Sequence, residues 1–126
     1  MLLQIHSIIR YVVLAAGVLA LVYALVGVVA RRPYDRAMRI LSSVFVGSLD
    51  VQILLGIGVI FTRSFYPALI GHITMMIFAA AVVHVTSAVM RRRPPEEKTY
   101  MPHLVSILVS LGLIAAGILA IGRGIV

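Results

Sequence analysis

The chain has 126 residues, of which 62% are hydrophobic and only 12% charged, and its mean hydropathy is +1.12. Such a composition excludes an ordinary water-soluble domain, since too little polar surface remains to face water, and it points to an integral membrane protein. The absence of cysteine excludes disulfides, thiolate-held iron–sulfur clusters, covalently attached c-type haem and Cys-ligated zinc, leaving histidine as the main nitrogen ligand.

A helix crossing the hydrocarbon core needs roughly 20 mostly apolar residues, and four runs reach that length: 5–30, 39–61, 68–90 and 103–121. The first is too long for the apolar region of a signal peptide and has no basic leader ahead of it, so it is expected to persist as a helix. The loops RRPYDRAMR, TRSFYP and RRRPPEEKTYMP leave no room for a soluble domain between the spans. Residues 1–126 therefore form one all-α, four-helix transmembrane domain. Pro33, Pro67, Pro94, Pro95 and Pro102 all fall at expected helix boundaries, where a missing amide is tolerated.

The net charge of +7 is distributed by topology rather than gathered on a surface for nucleic acid. Arg31, Arg32, Arg36 and Arg39 lie in or beside the first loop, and Arg91, Arg92, Arg93 and Lys98 in the third, against Arg63 in the second. By the positive-inside rule the first and third loops face the cytoplasm and both termini lie on the non-cytoplasmic side. Contacts of these clusters with anionic headgroups of membrane lipids are expected.

With that orientation, the rise of roughly 1.5 Å per residue sorts the histidines by depth. His6 and His72 lie about one turn inside the outer ends of the first and third helices. His84 is roughly 18 Å further along the third helix than His72, and His103 opens the fourth helix at the inner side. Two imidazoles at matched depth on different helices suit a b-type haem, whose iron takes an axial nitrogen from each face. His6 and His72 are thus the candidate metal ligands. His84 either serves a second haem or makes a buried polar contact to neighbouring helices, and His103, following Met-Pro at the interface, is expected among headgroups.

Arg10 is four residues after His6 and shares its helix face, where it could anchor a haem propionate, snorkel to the interface or pair with Asp50. Tyr11 could donate to a propionate, although the interfacial aromatic belt is the simpler reading. In the second helix Asp50 lies near mid-membrane, where a bare carboxylate is costly. It could be protonated, paired with Arg10, or hydrogen-bonded to the far nitrogen of a ligating histidine. Gln52 could touch a quinone headgroup, but an interhelical hydrogen bond is the simpler role. Small residues continue the polar faces: Gly17 follows Arg10 by seven, and His103, Ser106, Ser110, Gly117 and Gly124 form a stripe on the fourth helix suited to close helix packing.

His6-Ser-Ile-Ile-Arg10-Tyr11, Asp50-Val-Gln52-Ile-Leu-Leu-Gly56, and His72 followed by Met75 and Met76 give the chain a pattern that resembles small four-helix bacterial membrane proteins labelled cytochrome b-like. The resemblance covers most of the layout. It implies a haem-associated or redox-linked protein of the bacterial inner membrane, with His6 and His72 the carried-over ligand positions. An acidic residue often precedes the third-helix histidine in that family, where this chain has Gly71, and His103 has no counterpart.

The expected function is a b-type haem protein, with one haem or two, moving electrons between a quinol and a redox partner, either as a homo-oligomer or within a larger redox complex. The alternatives are an accessory subunit of a respiratory or photosynthetic complex without its own cofactor, and a proton or small-solute carrier built around Asp50, Arg10 and the histidines. The carrier ranks last, because the spans show no paired broken helices or evident internal repeat. No nucleotide loop, nucleophile arrangement or HExxH motif is present, so an independent enzyme is not expected.

Overall fold

The computed structural model describes residues 2–62 and 68–120. Arg63 and Pro67 of the second loop, Ile121 at the expected end of the fourth span, and Gly124 of the small-residue stripe lie outside the described residues. Four helices are present, α1 (Leu2–Val29), α2 (Arg36–Thr62), α3 (Ala68–Arg92) and α4 (Met101–Ala120), with one 3-10 turn, Pro95–Glu97, before the last. All four are long and apolar enough to cross a membrane.

Helix ends follow from local chemistry. α1 closes with Arg31 in the left-handed region at φ 52°, where the Arg31 and Arg32 amides donate to Val28 and Gly27 carbonyls at 3.3 and 3.0 Å. This is a Schellman-type stop, with arginine in the position glycine usually fills. α2 then begins at Arg36, three residues before the expected start at Arg39, because Asp35 Oδ1 accepts from the Met38 amide at 3.1 Å and caps the first turn. α3 runs two residues past the expected Met90, to Arg92, before Pro94 interrupts it. The 3-10 turn closes through Glu97 N to Pro94 O at 2.9 Å, and Tyr100 supplies the carbonyl that starts α4, accepting from Leu104 N at 2.9 Å.

The helices form two hairpins, α1 with α2 and α3 with α4. Each hairpin packs closely, α1 also packs on α4, and α2 meets α3 most lightly. Every helix presents a stripe at alternating three- and four-residue spacing to the centre. α1 contributes Val13, Ala16, Ala20 and Ala24, and α2 contributes Met38, Phe45 and Leu49. On α4 the predicted stripe is inside the bundle: His103, Ser106, Ser110 and Gly117 are all buried. Gly17 allows the close approach that the same pattern implied, since a Cβ there would lie 2.8 Å from Phe45 of α2 and 2.7 Å from Leu111 of α4. Large apolar side chains such as Leu19, Leu54, Phe78 and Leu108 point outward, as expected when lipid rather than water is the surrounding solvent.

Candidate functional site

At the end of the bundle that carries the start of α1 and the start of α3, the two hairpins repeat one arrangement. His6 lies one turn into α1, and its ring packs on α2 at Gly56, where a Cβ would come within 3.2 Å of Cε1. His72 lies one turn into α3, and its Nδ1 is 2.9 Å from the carbonyl of Gly117 on α4. Because a carbonyl only accepts, Nδ1 is the protonated nitrogen, and Nε2 is the one with a free lone pair. A side chain at Gly117 would close this space, meeting Met76 Cε at 2.6 Å, Met75 Cβ at 3.1 Å and His72 Nδ1 at 3.5 Å.

Polar groups converge beside His6. Gln52 is buried and donates through Nε2 to the His6 carbonyl at 2.7 Å, which is the interhelical bond expected of it. Its Oε1 has no hydrogen-bond partner among the described residues, and neither does the shielded Nε of Arg10. The Arg10 guanidinium donates to Tyr11 Oη at 2.9 Å and stands 4.8 Å from that ring's centroid. Tyr11 is itself exposed, in keeping with an interfacial residue.

Asp50 resolves differently from its pairing with Arg10. It meets His84 of α3, whose Nε2 lies 2.8 and 3.0 Å from the two carboxylate oxygens. The reason is angular: α1 packs on α2 as well, but Asp50 is turned to the side of α2 that faces α3, where the lighter packing leaves room for both side chains. The pair stays 51% and 42% exposed, so it looks out from the α2–α3 flank instead of into the bundle centre. Nδ1 is then the ring nitrogen of His84 left for any other partner.

The expectation that His103 sits among headgroups is overturned. It is 3% exposed, and its Nε2 shares a 2.9 Å hydrogen bond with Tyr34 Oη, the rings lying nearly parallel at 17°. The left-handed turn at Arg31 brings Tyr34 back over the end of α4 and covers the imidazole.

Tyr34 belongs to a cluster that the sequence reading did not identify. Tyr100 donates to the Pro33 carbonyl at 2.9 Å and packs between Tyr23 and Tyr34, with centroids 6.0 and 5.5 Å away. Tyr23 donates to Asp35, which also faces Arg32 at 3.9 Å. The Tyr23 hydrogen bond holds the Asp35 carboxyl below its usual range, while burial pushes the Tyr34 phenol up. These contacts tie the first loop to the third. The available signal was Tyr-Asp directly ahead of α2, a capping pattern, with three of the five tyrosines in or near the two basic loops.

Among the described residues no group of three or more His, Cys, Asp or Glu side chains could hold a metal ion. A bis-histidine iron draws on only two. Compared with protein-family models, curated proteins and solved structures, the chain matches none.

Proposed function

We propose that this chain is a membrane b-type haem protein that carries electrons between a quinol and a redox partner, with His6 and His72 as axial ligands. The observation that carries the reading is the 2.9 Å bond from His72 Nδ1 to the Gly117 carbonyl. Such a bond fixes tautomer and ring orientation and makes Nε2 the ligating nitrogen. The matched placement of His6 against Gly56 on the other hairpin supplies the second imidazole at the same end. A bound haem contributes a one-electron couple. The protein's part is to orient the two rings and to offer cations to propionates, for which the unpaired Nε of Arg10 is suited. In this reading the termini lie outside and the basic loops inside the bacterial cytoplasmic membrane.

One spectrum tests it. Purified from a haem-competent host, the protein should show sharp reduced-minus-oxidised α and Soret bands and a noncovalent b-type pyridine haemochrome. His6→Ala or His72→Ala should abolish haem or leave it high-spin. A colourless, folded preparation made with haem available, or full low-spin haem after both histidines are replaced, would reject the site.

A second reading rests on a different observation. The half-exposed Asp50–His84 pair on the α2–α3 flank favours a subunit whose flank is covered by another helix, from a second copy or a larger complex. Colourless protein that copurifies with fixed partners would favour this reading over the first.

A further inference from the structure

Below the Asp50–His84 pair, the α2–α3 flank opens into a cavity of about 370 Å³ at the end of the bundle that carries the basic loops. Three cations line it: Arg39 from α2, Arg91 from the last turn of α3, and Lys98 from the segment that follows. Among the described residues the ion pairs within 4.0 Å are Arg32–Asp35 and His84–Asp50, and neither involves Arg39, Arg91 or Lys98. Hydroxyls of Ser43 and Ser87 stand between the cations and the mid-bundle pair.

Beside these polar groups on α2 an apolar strip faces outward. Ile40 and Val44, both on α2, line the cavity and are 48% and 52% exposed. On one flank, therefore, three cations without an ion-pair partner among the described residues, and the hydroxyls of Ser42, Ser43 and Ser87, adjoin an apolar strip on α2. Water-facing basic residues alone would not need that strip, and a lipid-facing groove alone would not need the charge.

We infer that this cavity is a binding site for one anionic phospholipid, its headgroup phosphate held by Arg39, Arg91 and Lys98 and an acyl chain lying on Ile40 and Val44. Guanidinium groups bind phosphate oxygens through paired, charge-assisted hydrogen bonds, and an ammonium adds a point charge. A phosphate at this level also sits where the basic ends of membrane helices meet headgroups. The volume suits a headgroup with the start of its chain rather than a whole lipid, and the remainder would follow the open α2–α3 seam. The site is distinct from the His6 and His72 end and does not depend on haem.

The full chain in detergent can be titrated with phosphatidylglycerol and, separately, phosphatidylcholine while native mass spectrometry counts bound lipid. One phosphatidylglycerol per chain should be retained about 10-fold more tightly than phosphatidylcholine, whose phosphate is the same but whose choline cation is repelled by the three lining cations. Replacing Arg39, Arg91 and Lys98 together by Gln should remove that preference, whereas replacing Arg31, Arg36 and Arg93 together by Gln should change it less than about twofold, because diffuse surface charge acts weakly. Ser87→Trp, which fills the cavity and leaves every charge in place, should also release the lipid. Equal loss in both triple variants would reduce the effect to general basicity and overturn the site. So would full retention in Ser87→Trp, or displacement of the lipid by millimolar inorganic phosphate, which would make the site one for free anions.

Discussion

Gly27→Ala puts a single methyl where α1 touches the tyrosine cluster. A Cβ at that position would lie 2.5 Å from Tyr100 Cγ and 2.6 and 2.7 Å from Cδ2 and Cδ1. These are ring atoms near the backbone, not the end of a flexible chain. The ring is also held at its far end by the 2.9 Å bond to Pro33 O and on its sides by Tyr23 and Tyr34. Overpacking of a rigid site costs about 1–3 kcal/mol, while Gly to Ala within a helix returns at most about 1 kcal/mol. With the full helix gain the net loss is about 0–2 kcal/mol, and the loss relative to an unobstructed Gly→Ala change is about 1–3 kcal/mol. Gly47→Ala and Gly112→Ala are the controls, because nothing lies within 4 Å of a Cβ at either, and both should be neutral or slightly stabilising. Unfolding by SDS titration in mixed micelles, followed by far-ultraviolet circular dichroism, reads the difference. Adding Tyr100→Leu to Gly27→Ala should remove most of the steric penalty, so the two changes together should cost less than their sum. If Gly27→Ala is as stable as Gly47→Ala, the tyrosine cluster does not clamp the two loops as described.

Arg31→Gly should raise stability by about 1 kcal/mol in the same titration, since it removes a side chain from a left-handed position; a loss would show that the arginine side chain supplies more than its backbone strain removes. Asp35 has a lowered carboxyl pKa, so its contribution is present above the ordinary carboxylate value of about 4 and is lost as pH falls through the still lower folded value. Asp35→Asn retains a capping side chain and should flatten the acid limb of the stability profile; an unchanged limb would place the titrating group elsewhere. Asp50→Ala and His84→Ala should be non-additive, the double change being about 1 kcal/mol less unfavourable than the sum of the two single changes, in the range of polar contacts within membranes; strict additivity would mean the pair does not form in a bilayer. Single cysteines placed in the first and third loops should be labelled from the cytoplasmic side and one in the second loop from the other side, and the reverse pattern would invert the orientation while leaving the histidine placement intact.

The four apolar helices were legible because apolar length is a one-dimensional property, and the α4 stripe because three- and four-residue spacing survives in the sequence. The start of α2 was missed by three residues since apolarity, not capping, set the expected boundary; Asp35 was the available correction. Depth alone placed His103 at the interface, but whether an end residue is covered depends on where a loop returns, and that was decided by the backbone at Arg31. The tyrosine cluster draws on α1, the first loop and the residue before α4, segments far apart in sequence that no local spacing connects. Protonation, a pairing with Arg10 and a bond to a ligating histidine were all open to Asp50, because periodicity gives a residue's angle on its own helix but not the rotation of the neighbour. The structure selects His84 through helix adjacency. For His6 and His72, sequence gave depth, while the glycines each ring packs on came from the hairpin pairing.

The energetics of the α2–α3 flank bear on how the protein works in its membrane. An aspartate at a helix centre costs roughly 2.5–3.5 kcal/mol on insertion scales, whereas polar contacts between membrane helices return about 0.6 kcal/mol on average and at most about 1.7. The His84 contact therefore offsets only part of the cost of Asp50, and 42% of that side chain is still uncovered. A purely structural role would be served better by an apolar residue at position 50, since nothing in the α2–α3 seam requires a carboxylate for packing. What the pair does provide is a carboxylate–imidazole hydrogen bond on the same flank as the serines and cations at the basic end. Electron transfer to or from a quinol is accompanied by proton movement, so a carboxylate–imidazole pair at mid-membrane is consistent with the redox reading in a way that a lone buried charge is not. It also makes the flank the natural place for cover by a neighbouring helix.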